Sequence, residues 1–279
     1  MASRIGIALA IFLGIASPAA SQVVRFETSI GEFDMVLNPT NDPRLQGHVD
    51  NMLLYVENGA YNSSWINRAD EGFVLQMGGF YSHTLRPPLT IESTRPVNAF
   101  APIQGEPMIT GLSNTPGTVS LALPGGAGGT TNQDGGTSSF FVNLADNTFL
   151  DADFTVFAAI SEMTVINQIM ALMQVDRTTD PVFGADSGNL AFADVPLQTN
   201  GFQVFIKRAF VIDDAMSVAR AVAGVESTMA LSASAASAGS GSSSPLLASS
   251  SVPELASGIM LFVGAMGLFA LRLSRCRRH

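Results

Sequence analysis

One cysteine, Cys276, and three histidines, His48, His83 and His279, are all that this 279-residue chain holds of thiol and imidazole. A lone thiol close to the C-terminus excludes a disulfide framework, so the fold must be held by its core. Three scattered histidines exclude a metal constellation. Basic residues are also in short supply: Lys plus Arg number 14 against 23 Asp plus Glu, a net charge of −9. Nucleic-acid phosphates require basic surface, so a nucleic-acid partner is not expected. A glycine-rich stretch, PGGAGGTTNQDGG at 124–136, lacks the Gly-Lys-Ser/Thr that a phosphate loop needs, and a strand follows it rather than a helix N-terminus. No cofactor is therefore implied. A hydrolase built on Ser138 or Ser139 fails for want of a nearby histidine.

Long apolar runs occur only at the two ends. Arg4, the apolar run Ile5 to Ile15 and the small residues Ala19-Ala20-Ser21 read as a signal peptide over residues 1–21, which makes Gln22 the mature N-terminus. Leu255 to Leu271 is free of charge, and at about 1.5 Å per residue its 17 residues reach roughly 25 Å, a thin transmembrane helix. Arg272, Arg275, Arg277 and Arg278 follow, placing the tail in the cytoplasm and the bulk of the protein outside the inner membrane. Without residues 1–21 and 251–279, Lys plus Arg falls from 14 to 9 and Asp plus Glu from 23 to 22, leaving a strongly acidic exported part.

Between these ends the chain reads as several short strands and few helices. Val23 to Leu37 alternates on both sides of Ser29-Ile30-Gly31, a β-hairpin pattern. His48 to Gly59 has helical spacing, with Gly59 as its stop and His48 on the helix surface. Arg68 and Gln76 are eight residues apart, an even number that would place them on one face of a continuous strand, while Gly72 leaves a bend between them equally open. A proline-rich excursion spans Arg86 to Pro107, and strands are expected at Gly117–Leu123, Ser138–Leu144 and Phe154–Ile160. Asp151 and Asp153 read as turn formers rather than an acid–base pair. Ser161 is placed as the cap of a helix to Met173, with Met163, Met170 and Met173 filling the core. Asp176 to Asn200 reads as loop, Gly201 to Ile212 as a closing strand, and Ala215 to Ala230 as helix. Ser232 to Ser251 reads as a flexible Ala/Ser/Gly linker. The absence of a βαβ rhythm points to a closed antiparallel barrel or sandwich.

Four stretches in order carry a resemblance: TSIGEFDMVL at 28–37, NRADEGFVLQMGG at 67–79, SSFFVNLADNTFLD at 138–151 and FTVFAAI at 154–160. Over residues 23–212 the chain resembles the cyclophilins, peptidyl-prolyl cis/trans isomerases. The resemblance implies a mainly β fold, an eight-stranded antiparallel barrel capped by two helices, occupying residues 22–214. A helix and linker (215–251) and the sorting tail (252–279) would complete the chain. It further implies Arg68, Phe73 and Gln76 as catalytic residues, and Val74, Ala122, Phe141, Phe149, Leu150 and Phe154 as substrate-binding ones. Proline-containing polypeptides are the implied partners, and neither metal nor cofactor is needed.

Departures from the family pattern fall around this set. Asn67 stands at a family histidine, Ser139 at a glutamine, Leu123 at an asparagine and Phe149 at a tryptophan, while Phe154 takes a His or Tyr position. Val252-Pro253-Glu254, the apolar span and the arginine cluster resemble the PEP-CTERM sorting tail of Gram-negative bacteria, with Leu255 in place of its second proline. That tail implies membrane attachment, an exosortase as processing partner and a periplasmic or cell-surface location. The expected function is folding of exported or surface proteins. The alternative is a weakly active or inactive module that binds Pro-containing segments of surface or biofilm proteins.

Overall fold

The computed structural model describes residues 22–82, 94–108, 111–125, 130–178 and 190–238. The signal-peptide and transmembrane stretches, His83 and residues 86–93 of the proline-rich excursion lie outside these residues. Among the described residues no helix is long and apolar enough to cross a membrane.

The chain opens with β1 (Val23–Thr28) and β2 (Glu32–Leu37), paired antiparallel as the alternation requires. Thr28 closes the turn, its Oγ1 donating to the Gly31 carbonyl and accepting from the Ile30 and Gly31 amides. Helix α1 follows at Gln46–Glu57. It ends in a Schellman turn: Gly59 at φ +63° lets its own amide reach the Val56 carbonyl and the Ala60 amide reach Tyr55. The succeeding strands are β3 (Arg68–Asp70), β4 (Val74–Met77), β5 (Phe80–Ser82), β6 (Thr94–Pro96), β7 (Thr118–Leu121), β8 (Phe140–Asn143) and β9 (Val156–Ile160). Helix α2 (Thr164–Met170), β10 (Met173–Val175), β11 (Val195–Leu197), β12 (Ile206–Ile212) and helix α3 (Ala215–Ala238) complete the order.

Eight strands form one antiparallel sheet in the order β12-β1-β2-β9-β7-β8-β4-β3. The expected closed barrel is a half-barrel whose ladder stops at β3 and β12. Irregular backbone bonds stitch these ends: Ile66 N–H to the Val204 carbonyl at 2.9 Å and Ile206 N–H to Ser64 at 2.8 Å. Inside, Phe26 stacks on Phe33 at 5.1 Å and tilts against Tyr61 and Phe140. Each such ring, once buried, contributes roughly 1.5–3 kcal/mol.

Several local expectations are corrected. His48 is not on the helix surface: it is 3% exposed and stacked on Phe157. Ser161 does not cap α2, which starts at Thr164 after Met163. Instead the Ser161 amide donates to Asp34, and its carbonyl faces α3. Met173 does not fill the core. It is 65% exposed and starts β10, because α2 stops three residues earlier. The expected loop 176–200 contains β11, which pairs with β10 as a ribbon whose three-residue strands are too short for periodicity to register.

The helix expected over Ala215–Ala230, beside the two that cap the barrel, is present as α3 and packs on the outside of the sheet. Val23, Val36, Ala159 and Ile212 point out of the barrel, and α3 covers them with Ala221 and Val225. It passes close enough that a Cβ on Gly224 would lie 2.6 Å from the Ser161 carbonyl oxygen. The helix also runs to Ala238, past the expected linker start at Ser232, because alanine has the highest helix propensity and serine only a moderate penalty.

Candidate active site

Register assembles the site on the outer face of four strands. Arg68 is opposite Gln76, Gln76 opposite Phe141, and Phe141 opposite Ser120. Directly opposed residues of antiparallel strands share a face, so these four form a row across β3, β4, β8 and β7. A second row, one pleat along, holds Asp70, Val74 and Asn143. The bend between Arg68 and Gln76 is real: Gly72, at φ +70°, turns β3 into β4. The two residues still share a face, as cross-strand partners rather than along one strand.

Phe73 sits on that turn. Its carbonyl accepts from the Leu144 amide and from Asn147 Nδ2, both at 2.9 Å, which fixes the ring's origin. The Arg68 guanidinium carbon lies 5.6 Å from the Phe73 ring centroid. Phe149 stacks on Phe73 at 6.1 Å but is 56% exposed, so it covers Phe73 from the solvent side. Phe154 meets Phe141 edge-on at 5.6 Å, forming an aromatic corner. Leu150, buried, carries the turn that ends with the Phe154 amide donating to the Leu150 carbonyl. Ala122 is buried and joined to the site strand through its amide, which donates to the Ser139 carbonyl. Val74 is buried on the second row.

The polar groups are tightly held. Arg68 is 6% exposed and pairs through Nη2 with Asp70 Oδ2. Gln76 Nε2 donates to Ser139 Oγ at 3.2 Å, while Gln76 Oε1 is buried and has no partner in the structure. Asn67 turns its side chain away from Arg68's pairing, and its Nδ2 donates to the Ala191 carbonyl. Leu123 faces His48, Leu121 and Thr155 instead.

Sequence reasoning missed three contributors. Ser139 supports Gln76. Asp70 supports Arg68, and Asp194 lies beside both, its carboxyl raised first by burial and next by the Asp70 charge, with Arg68 acting in the opposite direction. The third is a buried polar network: Asn147 donates to Asn143 Oδ1, Asn143 to Asn114 Oδ1, and Asn114 to Asp151. Asp151 is thus a structural acceptor, in keeping with its turn reading. Only the i, i+2 spacing of Arg68 and Asp70 could have flagged any of these beforehand.

The row of Arg, Gln and Phe thus lies on the outer face of an eight-stranded antiparallel half-barrel. Residues 23–207 match the family described as cyclophilin type peptidyl-prolyl cis-trans isomerase/CLD, and the chain belongs to that family. It is an enzyme, a peptidyl-prolyl cis-trans isomerase of the cyclophilin type. It is 33% identical over 175 residues to a peptidyl-prolyl cis-trans isomerase of Acinetobacter baylyi, covering 61% of this chain and 82% of that protein. Against peptidyl-prolyl cis-trans isomerase A of Dickeya dadantii, identity is 35% over 128 residues, 46% of this chain and 57% of that protein. A crystal structure of a Cryptosporidium parvum cyclophilin type isomerase aligns at a TM-score of 0.46 and 15% identity, covering 70% of this chain and 99% of that one.

Proposed function

We propose that Arg68 is the group that lowers the barrier to rotation about the X-Pro bond, with Phe73 and Gln76 completing the catalytic set. Amide resonance sets that barrier at about 18–20 kcal/mol. As the amide twists, the prolyl nitrogen regains its lone pair and becomes a hydrogen-bond acceptor. A guanidinium donor against that nitrogen stabilises the twisted state more than the planar one. Phe141, Phe154, Leu150, Ala122 and Val74 provide an apolar wall for the proline ring, and Phe149 shields Phe73. Gln76 holds the peptide backbone through its orphan Oε1. No bond is made or broken, so neither nucleophile nor cofactor enters. The observation that carries this reading is the row Arg68–Gln76–Phe141, with Phe73 against the guanidinium.

The purified full chain is expected to accelerate isomerisation of a proline tetrapeptide, and Arg68→Ala to lower kcat/KM by about a hundredfold, the scale of losing one transition-state donor. Spontaneous rates from a folded sample would leave a module that only binds proline-containing segments.

We further propose that its clients are exported or surface proteins, and that the PEP-CTERM-like tail anchors it in the inner membrane for an exosortase to process. Signal-like residues 1–21, the apolar run 255–271 and the arginine cluster after it support this reading. Cell fractionation of the full chain and of a chain lacking residues 252–279 tests it: the first should sediment with membranes and the second should not.

A further inference from the structure

Asp70 follows Arg68 by two residues on β3, so both side chains leave the strand on one face. The Arg68 side chain is 8% exposed and that of Asp70 29%, with Nη2 donating to Oδ2. A guanidinium so withdrawn from water needs a charged acceptor. The strand that presents this pair is itself pinned at its outer edge: the Ala69 amide donates to the Asp194 carbonyl at 2.7 Å, and Asn67 Nδ2 to Ala191. Residues 190–197 thus brace the strand through one backbone bond and one side-chain bond, and the Asp70, Arg68 and Asp176 charges act on the Asp194 carboxyl, while the Arg177 amide donates to the Phe192 carbonyl in the same segment.

We propose that Asp70 is a positioning residue for Arg68, holding its guanidinium against Phe73 so that a prolyl peptide meets the arginine in one fixed pose. This role of Asp70 rests on Arg68 being the donor to the prolyl nitrogen. Arginine is long and flexible, and it loses its usefulness as a donor quickly when displaced: an error near 1 Å can cost up to about a hundredfold in rate. A carboxylate on the neighbouring pleat removes that freedom before the substrate arrives. Asp70 does not touch the substrate; it acts through Arg68.

A double-mutant cycle on the full chain tests this, with kcat and KM measured on a proline tetrapeptide for the parent, R68A, D70A, D70N and R68A/D70A. D70A is expected to lower kcat about tenfold with KM little changed, as for loss of orientation rather than of binding. In the R68A background the same change should cost nothing further. D70N, which keeps an oxygen to accept from Arg68 but loses the charge, should fall between the parent and D70A. D70A rates equal to the parent, with R68A impaired, overturn the positioning role alone, as does an equal D70A cost in both backgrounds. Parent-like rates in R68A overturn the reading of Arg68 and this proposal with it. Melting curves accompany each variant, and if D70A does not fold, D70N and R68A/D70N serve in its place.

Discussion

His48 is a neutral imidazole in an apolar seat, stacked on Phe157 beside Leu121 and Leu123, and burial pushes its pKa down to about 4. In the unfolded chain the same ring titrates near 6.5. Between those values the unfolded state binds the extra proton, so stability falls as pH drops from about 6.5 to about 4, by at most roughly 3 kcal/mol. His48→Phe should flatten the dependence of the denaturant midpoint on pH across that window, and an unchanged slope would assign the acid sensitivity elsewhere. Ser139 is a second instance of position outweighing identity. It stands where the family places a glutamine, yet its hydroxyl accepts from Gln76 and keeps that amide in the row. Ser139→Ala removes the acceptor from a buried NH₂, and a loss of about 1–3 kcal/mol is expected in chemical unfolding.

Among the elements, α3 is the addition that the family match leaves out, since the match ends at residue 207. It lies on the outward residues Val23, Val36, Ala159 and Ile212, and it can do so only because Gly224 has no side chain. Gly224→Val would drive a methyl group into the Ser161 carbonyl, so α3 should lift from the sheet. Faster amide exchange and protease cleavage confined to residues 215–238 would show it, with the main melting transition retained at lower temperature. The helix α1 depends on a different glycine. Gly59, at φ +63°, closes the Schellman turn, and Gly59→Ala should cost about 1–2 kcal/mol because an L side chain is strained there. Both glycines are visible in the sequence, but only Gly59 sits at a recognisable helix end. Gly224 reads as an ordinary glycine inside a helix until the neighbouring carbonyl is placed beside it.

The whole molecule is an acidic half-barrel without cross-links, net −9 over the chain, whose one thiol is Cys276. Melting of the fold should therefore be the same with and without reductant, and any reductant-dependent shift would have to come from chains joined through Cys276. Its strands join residues far apart in the chain: β1 pairs with β12, and the outer-face row draws on β3, β4, β7 and β8.

Alternation and turn residues were enough to reveal the opening hairpin, the strands carrying Phe141 and Val156, and the stop of α1, because local side-chain period and backbone torsion decide those features. The ordered motifs were enough to indicate the family. What needed the tertiary structure was partnership. That Arg68 lies opposite Gln76 rather than along one strand from it depends on the turn at Gly72. Asp70 and Asp194 around one guanidinium, Ser139 under Gln76, Asn67 turned to Ala191 and His48 in the interior were likewise decided by packing. Periodicity reports which face a side chain takes on its own element; which group meets it there is set by chain that lies as many as 126 residues away, as Asp194 does from Arg68.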